Sequence, residues 1–148
     1  MVRVDLHVHS CYSHDSLSSL EAIIEACRRR GLDMIARTDH GTIQGALALK
    51  ALAPELVIVG QEIKTTAGEL IAYFVEQEIP AGLEPAEAIR RLRDQGAIVG
   101  VSHPMDRIRR EAMGPRALME IVDQSDCLET FNSRVLLPSD NRRAAEFA

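Results

Sequence analysis

Val2-Arg3-Val4-Asp5-Leu6-His7-Val8-His9 opens the chain, and its reading decides the fold. Apolar and polar residues alternate, so the stretch reads as a β-strand with Asp5, His7 and His9 on one face. A helix follows. Ser18 and Glu21 have the spacing of a capping box. Leu20, Ile23, Ile24 and Cys27 form an apolar stripe. Arg28, Arg29 and Arg30 suit the negative carboxyl end of that helix, and Gly31 supplies its stop.

Strand and helix keep alternating beyond this unit. Residues 32–38 read as a strand running into Asp39-His40, and 45–53 as a short helix closed by Pro54. Residues 56–59 form a buried strand ending near Gly60-Gln61-Glu62. A strand over 69–75 pairs as a hairpin with Ile63-Lys64-Thr65 through a turn at Ala67-Gly68. Pro85 opens a helix that ends at Gly96, and the strand over 97–101 delivers Ser102-His103-Pro104. A short helix over 117–122, a strand over 127–131 and a helix from Pro138 complete the pattern. Strands separated by helices imply an α/β fold, a mainly parallel sheet or barrel. In such folds the chemistry gathers at the carboxyl ends of the strands.

A chain of 148 residues with 46% hydrophobic content is one domain with a proper core. Its net charge of -5, scarce aromatics and lack of Trp argue against an extended nucleic-acid surface. Cys11, Cys27 and Cys127 show no Cys-x-x-Cys spacing and read as reduced thiols. Charged Arg3 and Asp5 interrupt any signal peptide, and no apolar run approaches the ~18 residues of a spanning helix. The expectation is a soluble, cytoplasmic protein with no membrane partner.

Four of the five histidines, His7, His9, His40 and His103, fall at or just past strand ends, and Glu62 ends another strand. A lone strand histidine is usually satisfied by a backbone carbonyl, and one His-x-His pair is a weak signal. Four imidazoles and a carboxylate gathered at one end of a sheet are a different matter. Imidazole binds zinc, manganese or iron, and a carboxylate can bridge two ions.

Asp5-Leu6-His7-Val8-His9-Ser10, Tyr12-Ser13-His14-Asp15, Thr38-Asp39-His40, Gly60-Gln61-Glu62-Ile63 and Ser102-His103-Pro104 together resemble the successive motifs of the PHP (polymerase and histidinol phosphatase) family. Leu128-Glu129-Thr130-Phe131-Asn132 is also similar. The resemblance implies a distorted seven-stranded βα barrel, incomplete at its carboxyl end here, that holds up to three divalent ions (zinc, manganese or iron) and hydrolyses phosphate esters. It places metal ligands at His7, His9, Asp15, His40, Glu62 and His103. His14 is an alternative to Asp15, read as a solvated loop residue. Many relatives carry a further histidine on the strand after the glutamate motif; here Gly68-Glu69-Leu70-Ile71-Ala72-Tyr73 has none, and Glu69 is either its substitute or a surface carboxylate. The family's closing Gly-Ser-Asp-Ala-His type motif is also absent, which implies a fragmentary domain with an open edge and a tendency to self-associate.

Three further residues are candidates for the catalytic machinery. Asp39 either orients an imidazole or caps the helix near Thr42. Arg107 and Arg134 follow strand ends and suit the oxygens of a phosphorylated small-molecule or nucleotide substrate. Arg109 reads as surface charge. Arg37, inside an apolar strand, either faces the metal-bearing interior or pairs with a buried acid. The runner-up functions are a metal-binding regulatory module without turnover and a nuclease.

Overall fold

The computed structural model describes residues 1–148. Six strands, β1 (Val4–Val8), β2 (Met34–Arg37), β3 (Val57–Lys64), β4 (Glu69–Tyr73), β5 (Ile98–Val101) and β6 (Cys127–Leu128), form one sheet in the order of the sequence. Five helices connect or follow them: α1 (Leu20–Arg30), α2 (Gln44–Leu52), α3 (Pro85–Asp94), α4 (Pro115–Ile121) and α5 (Pro138–Phe147). The sheet is mixed. β1, β2 and β3 are parallel, β4 runs antiparallel to both neighbours, and β6 is parallel to β5.

Local details depart from the sequence reading. Ser19, not Ser18, caps α1, its hydroxyl accepting the Ala22 N–H at 3.2 Å. One residue of displacement puts the hydroxyl opposite the third helical amide, where a free donor needs an acceptor. β6 is two residues long, not five, because the chain leaves the sheet to place Glu129 and Asn132. α2 is not capped by Asp39. Glu78, from a distant loop, accepts from the Thr42 hydroxyl at 2.7 Å and the Ile43 N–H at 3.0 Å.

The sheet curls on itself. Six flat strands would hold β1 and β6 about 24 Å apart. Yet His7 at the end of β1 and Glu129 just beyond β6 meet at 2.9 Å. Interior glycines permit the tight curvature. A Cβ on Gly60 would lie 2.6 Å from the Ala72 carbonyl, and one on Gly100 would lie 2.7 Å from Cys127 Sγ. Helices cover the outer face, where Ile63, Leu70, Ile89, Leu92, Val99 and Leu118 belong to one buried core. A second core joins α1 and α2 to β2 and β3 through Leu20, Ile23, Ile35, Leu49 and Val57. The inner face is narrower, with Ala36, Ile58, Ile71 and Tyr73 in contact. Burying the outer face of the sheet leaves its carboxyl rim free for polar groups. No helix is long and apolar enough to cross a membrane.

Candidate metal centre

Strand alternation aims His7 and His9 into the curled interior. The loop after β1 returns Asp15 to the same rim, where its carboxylate meets His9 Nδ1 at 3.0 Å. β2 runs on into Thr38-Asp39-His40, and His40 bridges to Glu62 of β3. β4 contributes its first residue, Glu69, because an antiparallel strand starts where its neighbours end. His103 lies two residues beyond β5 at a backbone φ of 31°, a conformation costing a non-glycine residue about 1–3 kcal/mol and typical of functional turns.

Glu62 is the hub. It is fully buried, and four imidazoles from three strands or their ends surround its carboxylate. Oε2 lies 3.2 Å from His7 Nε2, 3.1 Å from His9 Nε2 and 3.3 Å from His40 Nε2. Oε1 lies 3.1 Å from His103 Nε2. Burial alone would raise the Glu62 pKa, but the imidazoles at His103, His7 and His9 hold it well below the usual carboxylate range. Burial likewise opposes charge on His7, yet hydrogen bonds to Glu129 and Glu62 win, and its pKa is pushed up to about 10. His9 and His103 are raised for the same reason, burial being outweighed by carboxylate partners. At His40 burial prevails and the pKa falls.

The donor set fits divalent ions. His7 Nε2 and His9 Nε2 are 3.1 Å apart, each facing the other and the same carboxylate oxygen. Two imidazole nitrogens sharing one tetrahedral ion would stand about 3.3 Å apart. Three overlapping triads bring ligand atoms within 4.8 Å of one another: His7, His9 and Glu62; His9, Asp15 and His40; His40, Glu62 and Glu69. The Glu129 and Glu62 carboxylates favour the doubly protonated form of His7, so an ion at Nε2 must displace a proton. Metal uptake at pH 7 is therefore expected to release protons, and affinity is expected to fall as the pH is lowered. Titration calorimetry in buffers of different ionisation enthalpy checks this; equal heats in all buffers would contradict it.

All six residues to which the resemblance assigned ligand roles thus meet at one rim. The other candidates are rearranged. Asp39 orients no imidazole: its Oδ1 accepts the Ser10 N–H at 2.7 Å, and its Oδ2 is bound by the buried Arg37 guanidinium. Arg37 thus pairs with a buried acid. Arg107 turns away and pairs with Asp140 at 2.9 Å, fastening α5 to the loop after β5. Arg109 occupies the place expected of Arg107, with Nη1 3.3 Å from His103 Nε2. Arg134 reaches Asp15 at 2.9 Å. His14 is exposed, its ring 5.0 Å from that of His40 and outside the three triads.

Glu129 went unassigned in the sequence, although it accepts from His7 Nδ1 at 2.9 Å and from the His103 N–H at 2.8 Å. It obeys the strand-end rule, but a strand drawn through residue 131 hid it inside. Cavities of about 770 and 420 Å³ flank the cluster, and Asp15, Arg109 and Arg134 line both.

The PHP domain family model matches residues 5–131. The uncharacterized protein MJ1587 of Methanocaldococcus jannaschii is 35% identical over 146 residues, which cover 89% of this chain and 82% of the relative. The uncharacterized protein MJ0417 of the same organism is 34% identical over 150 residues, covering 99% of this chain and 60% of the relative. A crystal structure from Bifidobacterium adolescentis, provisionally described as a metal-dependent phosphoesterase, superposes with a TM-score of 0.77 over 99% of this chain and 83% of that one. At 16% identity that likeness is one of fold.

Proposed function

This chain belongs to the PHP domain family, and from that premise we propose that it is a metal-dependent phosphoesterase acting on a phosphomonoester or phosphodiester of a small metabolite or short nucleotide. The observation that carries this reading is the single buried carboxylate of Glu62 ringed by His7, His9, His40 and His103. The overlapping triads His7, His9 and Glu62; His9, Asp15 and His40; and His40, Glu62 and Glu69, with His103 beside Glu62, would hold up to three divalent ions (zinc, manganese or iron). Such ions, when bound, supply a water of lowered pKa and neutralise charge on the phosphoryl group.

The remaining residues serve that chemistry by position. Glu129 holds the proton of His7 Nδ1 and so presents Nε2 to the cluster. Arg109 and Arg134 border both cavities, where guanidinium forks suit phosphoryl oxygens. Two arginines beside an acidic, aromatic-poor chain favour a compact phosphate over a long nucleic-acid strand.

The test is direct. Metal-stripped protein is reloaded with zinc, manganese or iron and offered p-nitrophenyl phosphate, bis-p-nitrophenyl phosphate and short nucleotides. Phosphate release or diester cleavage that a chelator abolishes is the expected result. Arg109→Ala is expected to lower kcat/KM about tenfold to a hundredfold, the worth of a hydrogen bond to a charged group. Arg107→Ala is expected to leave kcat/KM of the folded protein within about twofold, since its guanidinium is engaged by Asp140 and not by the cluster. Metal-loaded protein that hydrolyses none of these esters would overturn the phosphoesterase reading and leave binding without turnover.

A further inference from the structure

We propose that Glu69 is a metal ligand and that, with Glu62, it makes the ion position between His40 and His103 the richest in oxygen donors, narrowing the advantage of zinc over manganese or iron(II) there. The inference rests on the reading of this cluster as a metal centre and concerns how its positions differ.

Glu69 is 2% exposed and projects into the rim. Its two oxygens diverge. Oε1 lies 3.4 Å from His40 Nδ1, and Oε2 lies 3.4 Å from His103 Nε2. Neither approach is close, and Oε2 is fully buried with no hydrogen-bond partner at all. A buried carboxylate oxygen left unpaired is costly, and such exceptions call for an explanation. His103 Nε2 also faces Glu62 Oε1 at 3.1 Å, so two carboxylates and an imidazole converge on one spot. An ion seated there would satisfy the Glu69 oxygen and separate two buried like charges.

The fold places Glu69 there firmly. Lys64 and Glu69 face each other across the β3–β4 hairpin. Its turn is closed by the Thr65 N–H and hydroxyl, both donating to the Gly68 carbonyl at 2.8 and 2.6 Å. The side chain is therefore aimed by backbone pairing rather than by contact with solvent.

The three positions then differ in donor chemistry. The His7, His9, Glu62 triad and the His9, Asp15, His40 triad each offer two imidazoles and one carboxylate. The His40, Glu62, Glu69 triad has two carboxylates, and with His103 beside it the donors are two imidazoles and two carboxylates. Imidazole suits zinc, whereas carboxylate and water suit manganese and other harder ions. Among the positions, this one should accordingly take manganese most readily.

The experiment measures binding, not turnover. Metal-stripped wild type, Glu69→Gln and Glu69→His are titrated with Mn²⁺ alone and Zn²⁺ alone. Stoichiometry is read by elemental analysis after desalting, Mn²⁺ by electron paramagnetic resonance, and folding by circular dichroism. Glu69→Gln keeps the shape and removes the charge. It is expected to bind one fewer Mn²⁺ per chain, or to bind the last one at least tenfold more weakly, with a smaller loss of Zn²⁺ affinity. Glu69→His is expected to retain the extra position but to shift its preference toward Zn²⁺. Folded Glu69→Gln with wild-type Mn²⁺ stoichiometry and affinity would overturn the assignment of Glu69 alone. Wild type that takes up neither metal would overturn the metal-centre reading beneath it.

Discussion

Glu62→Gln is expected to reduce metal-supported phosphoester hydrolysis on the order of 10³-fold and to remove at least one bound ion per chain. No other side chain touches so much of the cluster. Its two oxygens meet four imidazoles at 3.1 to 3.3 Å, and it belongs to two of the three donor triads. An amide has the same shape but one weak donor oxygen, and its NH2 would point a proton at an imidazole nitrogen or at an ion. The loss should therefore appear in kcat and in metal stoichiometry together, with the fold retained. Steady-state kinetics and elemental analysis of the folded variant decide the matter; wild-type metal content would contradict the role given to Glu62.

Removing the carboxylate of Asp39 is expected to cost stability, not only activity. Asp39→Ala should destabilise the chain by about 3–5 kcal/mol, because it strands a buried guanidinium. Arg37 and Asp39 are 0% and 1% exposed. Arg37 already has Nε and Nη1 without partners, so Asp39 is its one hydrogen-bonded counter-charge. Space for rearrangement is absent: a Cβ at Gly45, where α2 begins, would fall 2.5 Å from Asp39 Oδ2. The same residue spans three strands. Its carboxylate takes the Ser10 N–H beside His9, its carbonyl takes the Glu62 N–H at 3.2 Å, and His40 follows it in the chain. Thermal unfolding should show a midpoint lowered by about 10 °C. Arg37→Met/Asp39→Leu should recover part of that loss, since a buried pair replaced as a unit leaves no orphaned charge. A double variant no more stable than Asp39→Ala would argue that the pair matters for something besides its charge balance.

How much of the site was legible in the sequence follows from how each residue is placed. His7 and His9 were visible because alternation along a strand fixes which side chains share a face. His40, Glu62 and His103 were visible because strand ends in α/β folds collect at one rim. Glu69 stayed undecided for a definite reason: it begins its strand rather than ending it. Only the antiparallel direction of β4 brings a strand start to the same rim, and direction leaves no mark on hydrophobic periodicity. Arg107 and Arg109 were exchanged because they lie in a loop. Neighbours two apart can face opposite ways there, and Asp140, 33 residues later, captures the first.

Amino-acid order alone thus determined the alternation of strands and helices, the buried stripes and the set of imidazoles that a metal could use, all of which depend on spacing along the chain. Tertiary structure decided the curl that joins His7 to Glu129, the burial of Arg37 against Asp39, and which arginine faces the cluster. Those depend on which distant segments meet, and a contact between residues 7 and 129 is set by strand order, direction and curvature rather than by any local preference of either segment.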